Sequence, residues 1–218
     1  IAGKDNLRQQ TAMWQAMLMS AGLPTSKQVF VEGFVTGEGG IKMSKSLGNV
    51  IDPIEYVEKY GIEAVRYYIL AKFSSFEDSQ ISQKLFEEAY TSDLANGIGN
   101  LVARVATMAA PHSGVFEYSK TQISEEIVRA VKEWDFNKAM AHIWGQIKGA
   151  DMLINERKVW TLKGEEQKEA LTDLVNRLRQ IGTDLEPFLP ETAKKILTMF
   201  AGPVIKRGQN LFNRLDQK

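Results

Sequence analysis

The sequence predicts an α/β fragment of about 72 residues followed by an all-helical bundle, mostly α overall. Three observations carry this expectation. Short apolar runs, Val29-Phe30-Val31 and Phe34-Val35, read as a buried strand just before a glycine-rich stretch. The composition changes at Ser74, Ser75, Asp78 and Ser79, which read as an irregular connector with helical sequence beyond it. Phe136, Met140, Ile143, Ile147, Ala150 and Ile154 recur three or four apart, the apolar face of one long helix.

Taken in order, residues 7–22 form a helix of small and apolar residues (Ala12, Met13, Ala16, Met17, Met19), stopped by Gly22 and Pro24. Met13, Met17 and Met19 are expected to pack, as methionines on helices commonly do. After the strand, Gly37, Gly39 and Gly40 free the backbone just before Lys42. Asp52-Pro53-Ile54-Glu55 is a helix start, with a capping carboxylate, proline at the first position and a glutamate able to reach back. Gly61 breaks that helix, and Ile62 to Ala71 forms the next. Further helices are expected over 93–108, 166–185 and 191–200, with Pro187 and Pro190 marking a turn. The predicted division is 1–72 and 73–218. Trp134 and Trp144 fall inside the helical pattern and are assigned to the core, and His112 to a loop.

Composition excludes several functions. No apolar run is long enough to span a membrane. Cysteine is absent and only His112 and His142 are present, so thiolate metal sites, disulfides and Ser-His-Asp chemistry are not expected, nor is any metal site. The start, Ile1-Ala2-Gly3-Lys4-Asp5, is unlike a signal peptide and lacks an initiator methionine, so a piece of a longer cytoplasmic protein is expected. Lys plus Arg and Asp plus Glu balance at 27 each, against a protein that coats nucleic acid by bulk charge. A few stacking and hydrogen-bonding contacts to unstacked bases are compatible with that balance.

A glycine-rich run that delivers two lysines and two serines after a strand suits an anionic ligand. Ammonium groups neutralise phosphate charge, and hydroxyls and backbone N–H groups add hydrogen bonds. The Walker A order is absent, and on spacing alone a solvated basic loop fits equally well. Lys42-Met43-Ser44-Lys45-Ser46-Leu47-Gly48-Asn49, however, resembles the KMSKS signature of class I aminoacyl-tRNA synthetases. The likeness continues through Val50-Ile51-Asp52-Pro53 and Tyr60-Gly61-Ile62-Glu63-Ala64-Val65-Arg66-Tyr67-Tyr68. The resemblance implies the C-terminal part of a Rossmann-like catalytic domain. Its mobile loop (Lys42, Ser44, Lys45, Ser46) closes over ATP, and Lys45 stabilises charge on the departing pyrophosphate.

Several segments look like methionyl-tRNA synthetases in particular. Gly3-Lys4-Asp5, followed by a helix containing Trp14, resembles the stretch lining the active site, which implies ATP or adenylate contacts for Gly3 and Asp5. Asp93-Leu94-Ala95-Asn96, Gly99-Asn100-Leu101 and Arg104 resemble the first anticodon-domain helix. Asn155 to Trp160 resembles the segment whose Trp faces the anticodon, and Glu186 to Ala193 and Leu211 to Leu215 resemble the closing motifs. Gln9-Gln10 stands where many members carry Phe-His, and Asn213 where proline is usual. Nothing like the HIGH signature occurs. The expectation is a part of a methionine–tRNA ligase that is inactive alone. The complete enzyme would use methionine, ATP with Mg2+, and tRNA(Met). The alternatives are another class I synthetase, a non-catalytic tRNA-binding module, or a structural bundle.

With 93–108 as a regular helix, Leu94, Ile98, Leu101, Val105 and Met108 share the buried side. Asn96, Asn100 and Arg104 form a separate stripe beside Ala103 and Thr107. The residues themselves fit either a solvated face or a base-reading one. Trp160, beyond the apolar stripe and next to Arg157 and Lys158, fits either a stacking platform or a cap on the bundle. The resemblance implies anticodon contacts at Asn100, Arg104 and Trp160.

Overall fold

The computed structural model describes residues 1–44, 50–112, 116–117 and 120–215. Among the described residues the chain is mostly helical, with two small sheets within its first 80 residues. Where one strand is expected, two occur, in different sheets. β1 (Ala2–Gly3) pairs in parallel with β2 (Val31–Glu32), and β3 (Val35–Thr36) pairs in parallel with β4 (Ser79–Gln80). Parallel partners need a long crossover, and here each crossover is helical. Gly33, between β2 and β3, explains the break: a Cβ there would lie 2.1 Å from the Glu77 carbonyl oxygen, so only glycine lets the connector approach. That approach also makes β4 out of a connector expected to be irregular.

The first crossover holds a π-helical turn (Gln9–Met13) leading into α1 (Trp14–Ser20), which stops ahead of Gly22 at φ 68°. The helix is where the sequence puts it, but its methionines do not pack. Met13, Met17 and Met19 are 56%, 63% and 69% exposed, because α1 makes few contacts beyond the π-helical turn that it continues. The second crossover holds α2 (Pro53–Tyr60) and α3 (Ile62–Lys72). Asp52 caps α2 by accepting from the Ile54 N–H at 2.8 Å, and Gly61, at φ 88°, turns the chain between the two helices.

Among the described residues the remaining α-helices are α4 (Gln83–Ala89), α5 (Asn100–Ala109), α6 (Glu125–Lys132), α7 (Phe136–Glu156), α8 (Gly164–Leu185) and α9 (Pro190–Met199). Met140, Ile143, Ile147, Ala150 and Ile154 of α7 are buried as their spacing predicts, while Phe136 is half-buried. Tyr90–Gly99, joining α4 to α5, is π-helical rather than the regular helix expected. Burial there falls on neighbouring pairs, Leu94 with Ala95 and Ile98 with Gly99, as i→i+5 bonding spaces the turns more widely. Leu94, Ile98, Leu101 and Val105 are buried, but Met108 only partly. No helix among the described residues is long and apolar enough to cross a membrane.

The core is continuous from Tyr60, Ala64, Tyr67 and Tyr68 through the bundle to Ile205. Trp144 joins it beneath Tyr67, ring centroids 4.5 Å apart. Trp134 does not: it sits in the turn between α6 and α7 at φ 60°, 39% exposed, beside Phe30 at 5.1 Å. The α6 helix ends before it, so the helical pattern that would bury it does not extend that far.

Two charged groups of α8 are buried and fully engaged. Arg179 donates to the carbonyls of Phe200 (2.7 Å) and Glu117 (2.6 Å). Asp184, wholly buried, accepts from the Ser124 N–H and hydroxyl, both at 2.7 Å, and from Gln146 and Gln180, both at 3.1 Å. Replacing Asp184 by Ala orphans several donors, so the urea midpoint should fall by the equivalent of about 3 kcal/mol. Asp184→Asn, which keeps one acceptor, should lose less; an unchanged midpoint for Asp184→Ala would show that the network contributes nothing.

Between α2 and α4, Glu87 accepts from the Tyr60 hydroxyl, from Gln83 at 2.9 Å and from Lys59 at 3.1 Å. Tyr60 and then Gln83 hold its carboxyl down to about 2, against burial, with Lys59 assisting. A depressed carboxyl adds stability above its ordinary 4.5 and loses it as pH falls towards about 2. Wild type should therefore weaken across that window. Glu87→Gln should flatten the pH dependence of its thermal midpoint there, and parallel curves would rule the linkage out.

Candidate nucleotide loop and nucleic-acid interface

The glycine-rich run doubles the chain back on β3. Gly37 N–H donates to the Ile41 carbonyl at 2.8 Å, Gly39 and Gly40 take φ 71° and 75°, and Lys42 forms an antiparallel bridge with Thr36. This returns Lys42 to the side of Phe34, its Nζ 5.3 Å from the ring centroid. Lys4 Nζ stands 4.4 Å from the same ring. Asp78 ties the unit together, pairing with Lys4 at 2.5 Å and accepting from the Phe34 N–H at 2.8 Å. Lys4 first, then the Phe34 N–H, holds the Asp78 carboxyl below its ordinary range.

Lys42 and the Gly3–Asp5 segment thus meet around one ring. Gly3 is half-buried, Asp5 exposed, and a Cβ on Gly3 would come 3.0 Å from the Asp5 Oδ1. Ser44 is half-buried. Lys45 and Ser46, with Leu47 to Asn49, lie outside the described residues. Phe34 and Asp78 belong to this site without being foreseen in it. No local signal announces them, since Lys4 and Asp78 are 74 positions apart.

In the helical part of the chain, α5 and α7 present a second cluster. Arg104 donates to Asp151 at 2.5 Å and to Asn155 at 2.9 Å, and Asn155 donates to Asp151 at 3.0 Å. Both acceptors come from the last turns of α7, so the guanidinium is fixed in direction yet 30% exposed. Trp160 follows α7 in the short 3₁₀ turn Val159–Thr161, entered through Lys158 at φ 45°. Val159 is wholly buried while Trp160 is 53% exposed, so its neighbour anchors the turn and the indole projects. Ala103, Arg104, Thr107, Met108 and Trp160 line one open recess of about 520 Å³.

The stripe expected from Asn96, Asn100 and Arg104 divides in space. Asn96, from the π-helical stretch, lines a different, broad groove with Lys59, Gln83 and Asn213. Asn100 is exposed, and no hydrogen bond of its side chain to a described residue is formed. The recess can therefore offer a flat apolar ring and a planar cation to one unstacked base.

Residues 1–106 match the model of the family described as tRNA synthetases class I (M). The methionine–tRNA ligase of Clostridium acetobutylicum is 35% identical over 99% of this chain and 39% of its own length. That of Rhizobium meliloti is 34% identical over 95% of this chain and 43% of its own. Among solved structures, Mycobacterium tuberculosis methionyl-tRNA synthetase in complex with methionyl-adenylate superposes with a TM-score of 0.74 at 27% identity, covering 90% of this chain and 43% of that one. The apo form of the same enzyme shares the fold, with a TM-score of 0.77 at 21% identity and coverage of 99% and 49%. The chain spans about two fifths of the length of the curated relatives it matches. Along nearly all of its own length it is thus similar to part of a methionine–tRNA ligase, and its first 106 residues match the class I (M) synthetase family.

Proposed function

We propose that this chain is the part of a cytoplasmic methionine–tRNA ligase that carries the KMSKS loop and the anticodon-binding helices. On this reading residues 1–72 complete the catalytic domain and 73–218 form the anticodon-binding domain. The complete enzyme activates methionine with ATP and transfers it to tRNA(Met), and the histidines of HIGH come from sequence outside this chain. The methionine carboxylate attacks the α-phosphate and pyrophosphate leaves. Lys42, Ser44, Lys45 and Ser46 close over the nucleotide, and charge growing on the leaving group meets the Lys45 ammonium. Gly3 and Asp5 line the adenylate side, and Mg2+ accompanies the ATP phosphates. Alone, the chain is inactive in methionine-dependent ATP–pyrophosphate exchange.

The observation that carries the reading is the shared recess of Arg104 and Trp160. A guanidinium held by Asp151 and Asn155 beside an exposed indole is pre-organised for a base, and ordering it in advance lowers the cost of binding. Support for the loop comes from the hairpin that returns Lys42 to the Gly3–Asp5 segment. Asn100, exposed one turn before Arg104 on the same helix, is assigned to the anticodon as well.

A stem-loop RNA with a CAU anticodon should bind this chain better than loops altered at the first or second letter. Trp160→Ala should weaken CAU binding roughly tenfold, since a stacking platform is worth about 1 to 3 kcal/mol per base. The helical circular-dichroism signal should stay unchanged. Arg104→Gln should chiefly erode discrimination between anticodons, whereas a phosphate contact would weaken all loops alike. Equal binding of CAU and scrambled loops would refute the assignment.

In the full-length enzyme, Lys45→Ala should raise the barrier to adenylate formation by about 2 to 4 kcal/mol with little change in ground-state ATP affinity. A loss confined to ATP affinity, with turnover intact at saturation, would contradict the role given to Lys45.

A further inference from the structure

After α9 the chain runs back across α5 and is anchored at both ends. Ile205 is 1% exposed, and Leu211, Phe212 and Leu215 pack against the core. The Tyr90 hydroxyl donates to the Asn213 carbonyl at 2.9 Å, and its ring meets Phe212 edge-on. Between the anchors, Gly208 passes so close to α9 that a Cβ there would lie 2.5 Å from the Met199 methyl. The crossing is therefore a fixed strap.

Beneath the strap lies a cavity of about 140 Å³, lined by Gly99, Ala103 and Thr107 on one side and Arg207, Gln209 and Asn210 on the other. One water needs only about 10–15 Å³ of such volume, so the hollow admits a ring-sized group. Ala103 and Thr107 also line the recess of Arg104 and Trp160, so two hollows share one wall on α5. Arg207, Gln209 and Asn210 are exposed, and their side chains have no hydrogen-bond or ion-pair partner among the described residues. Each amide presents donors and an acceptor together, the pattern needed on a base edge, while a guanidinium suits a phosphate.

We infer that this cleft takes the RNA nucleotide next to the one stacked on Trp160, with its base facing Gln209 and Asn210 and its phosphate at Arg207. The inference rests on the RNA-reading assignment above and adds a second subsite to it. Consecutive loop nucleotides splayed over α5 would enter the two hollows in turn.

The test is an anisotropy titration of the whole 218-residue chain with a CAU stem-loop and with stem-loops made abasic at single loop positions. Gln209→Ala and Asn210→Ala should each weaken the intact loop by about tenfold, as for loss of one base-edge contact. That loss should vanish for one abasic loop only, and that position should adjoin the one whose removal masks Trp160→Ala. Arg207→Ala should weaken every loop and reduce the salt dependence. Wild-type affinity in both amide variants, or a loss equal across all abasic loops, overturns the inference while leaving Trp160 in place. If Trp160→Ala is silent as well, the RNA reading falls and takes this subsite with it. Neither amide supports the fold, so an unchanged thermal midpoint accompanies every supporting result.

Discussion

Tyr67 is the contact on which the arrangement of the chain depends. It is 2% exposed and lies on α3, the last helix before β4. Its ring stacks on Trp144 of α7, and its hydroxyl donates to Asp93 of the π-helical stretch at 2.6 Å. Lys72 reaches the same carboxylate at 2.9 Å. One side chain thus joins the crossover beyond the nucleotide loop to α7 and to the π-helical stretch that leads into α5. Burial, and then Asp93, push the Tyr67 hydroxyl far above its ordinary range, so it stays a donor at any working pH. A stacked pair of large rings adds its own attraction to the area it buries.

The two candidate sites use charge differently. Arg104 is held by a carboxylate and an amide from α7, so its orientation is set before any ligand arrives. Lys42 presents its compact ammonium over an aromatic face at 5.3 Å. A fixed planar fork suits recognition of a base edge, and a compact point charge suits phosphate. The sheet fragments serve the loop in the same economical way: β3 and β4 are two residues each, yet Asp78 beside them fastens Lys4 and the Phe34 backbone at once.

Features governed by local sequence are legible in advance. The Asp52 cap, the Gly61 break and the α7 stripe each depend on residues within a few positions, and each occurs as read except that Phe136, at the head of the stripe, is half-buried. The residues around Trp160 fit a projecting platform or a cap on the bundle alike, and the structure leaves the indole 53% exposed. The features that escape such a reading depend on distant partners. Gly33 reads as a loop glycine until Glu77 arrives against it, and Asp78 reads as a connector residue until it meets Lys4. Helical periodicity likewise assigns Trp134 to the core and Met13, Met17 and Met19 to packing, wrongly, since a pattern marks a face without saying what covers it.

The π-helical stretch Tyr90–Gly99 amounts to surplus chain accommodated without a loop. Each turn holds more residues than an α-turn, so the stretch resets the angular phase between α4 on one side and α5 on the other. Deleting a single residue there would let the segment tighten into an α-helix of the same reach. The flanking helices would keep nearly the same phase, because each π-turn holds more residues than an α-turn and the gap takes up part of that surplus. Asp93, which holds Tyr67 and Lys72, and the wholly buried Leu94 lie within the segment whose wider turns absorb that residue. The segment therefore acts as a length buffer, a place where the chain can differ by a residue while α4 and α5 keep their relation.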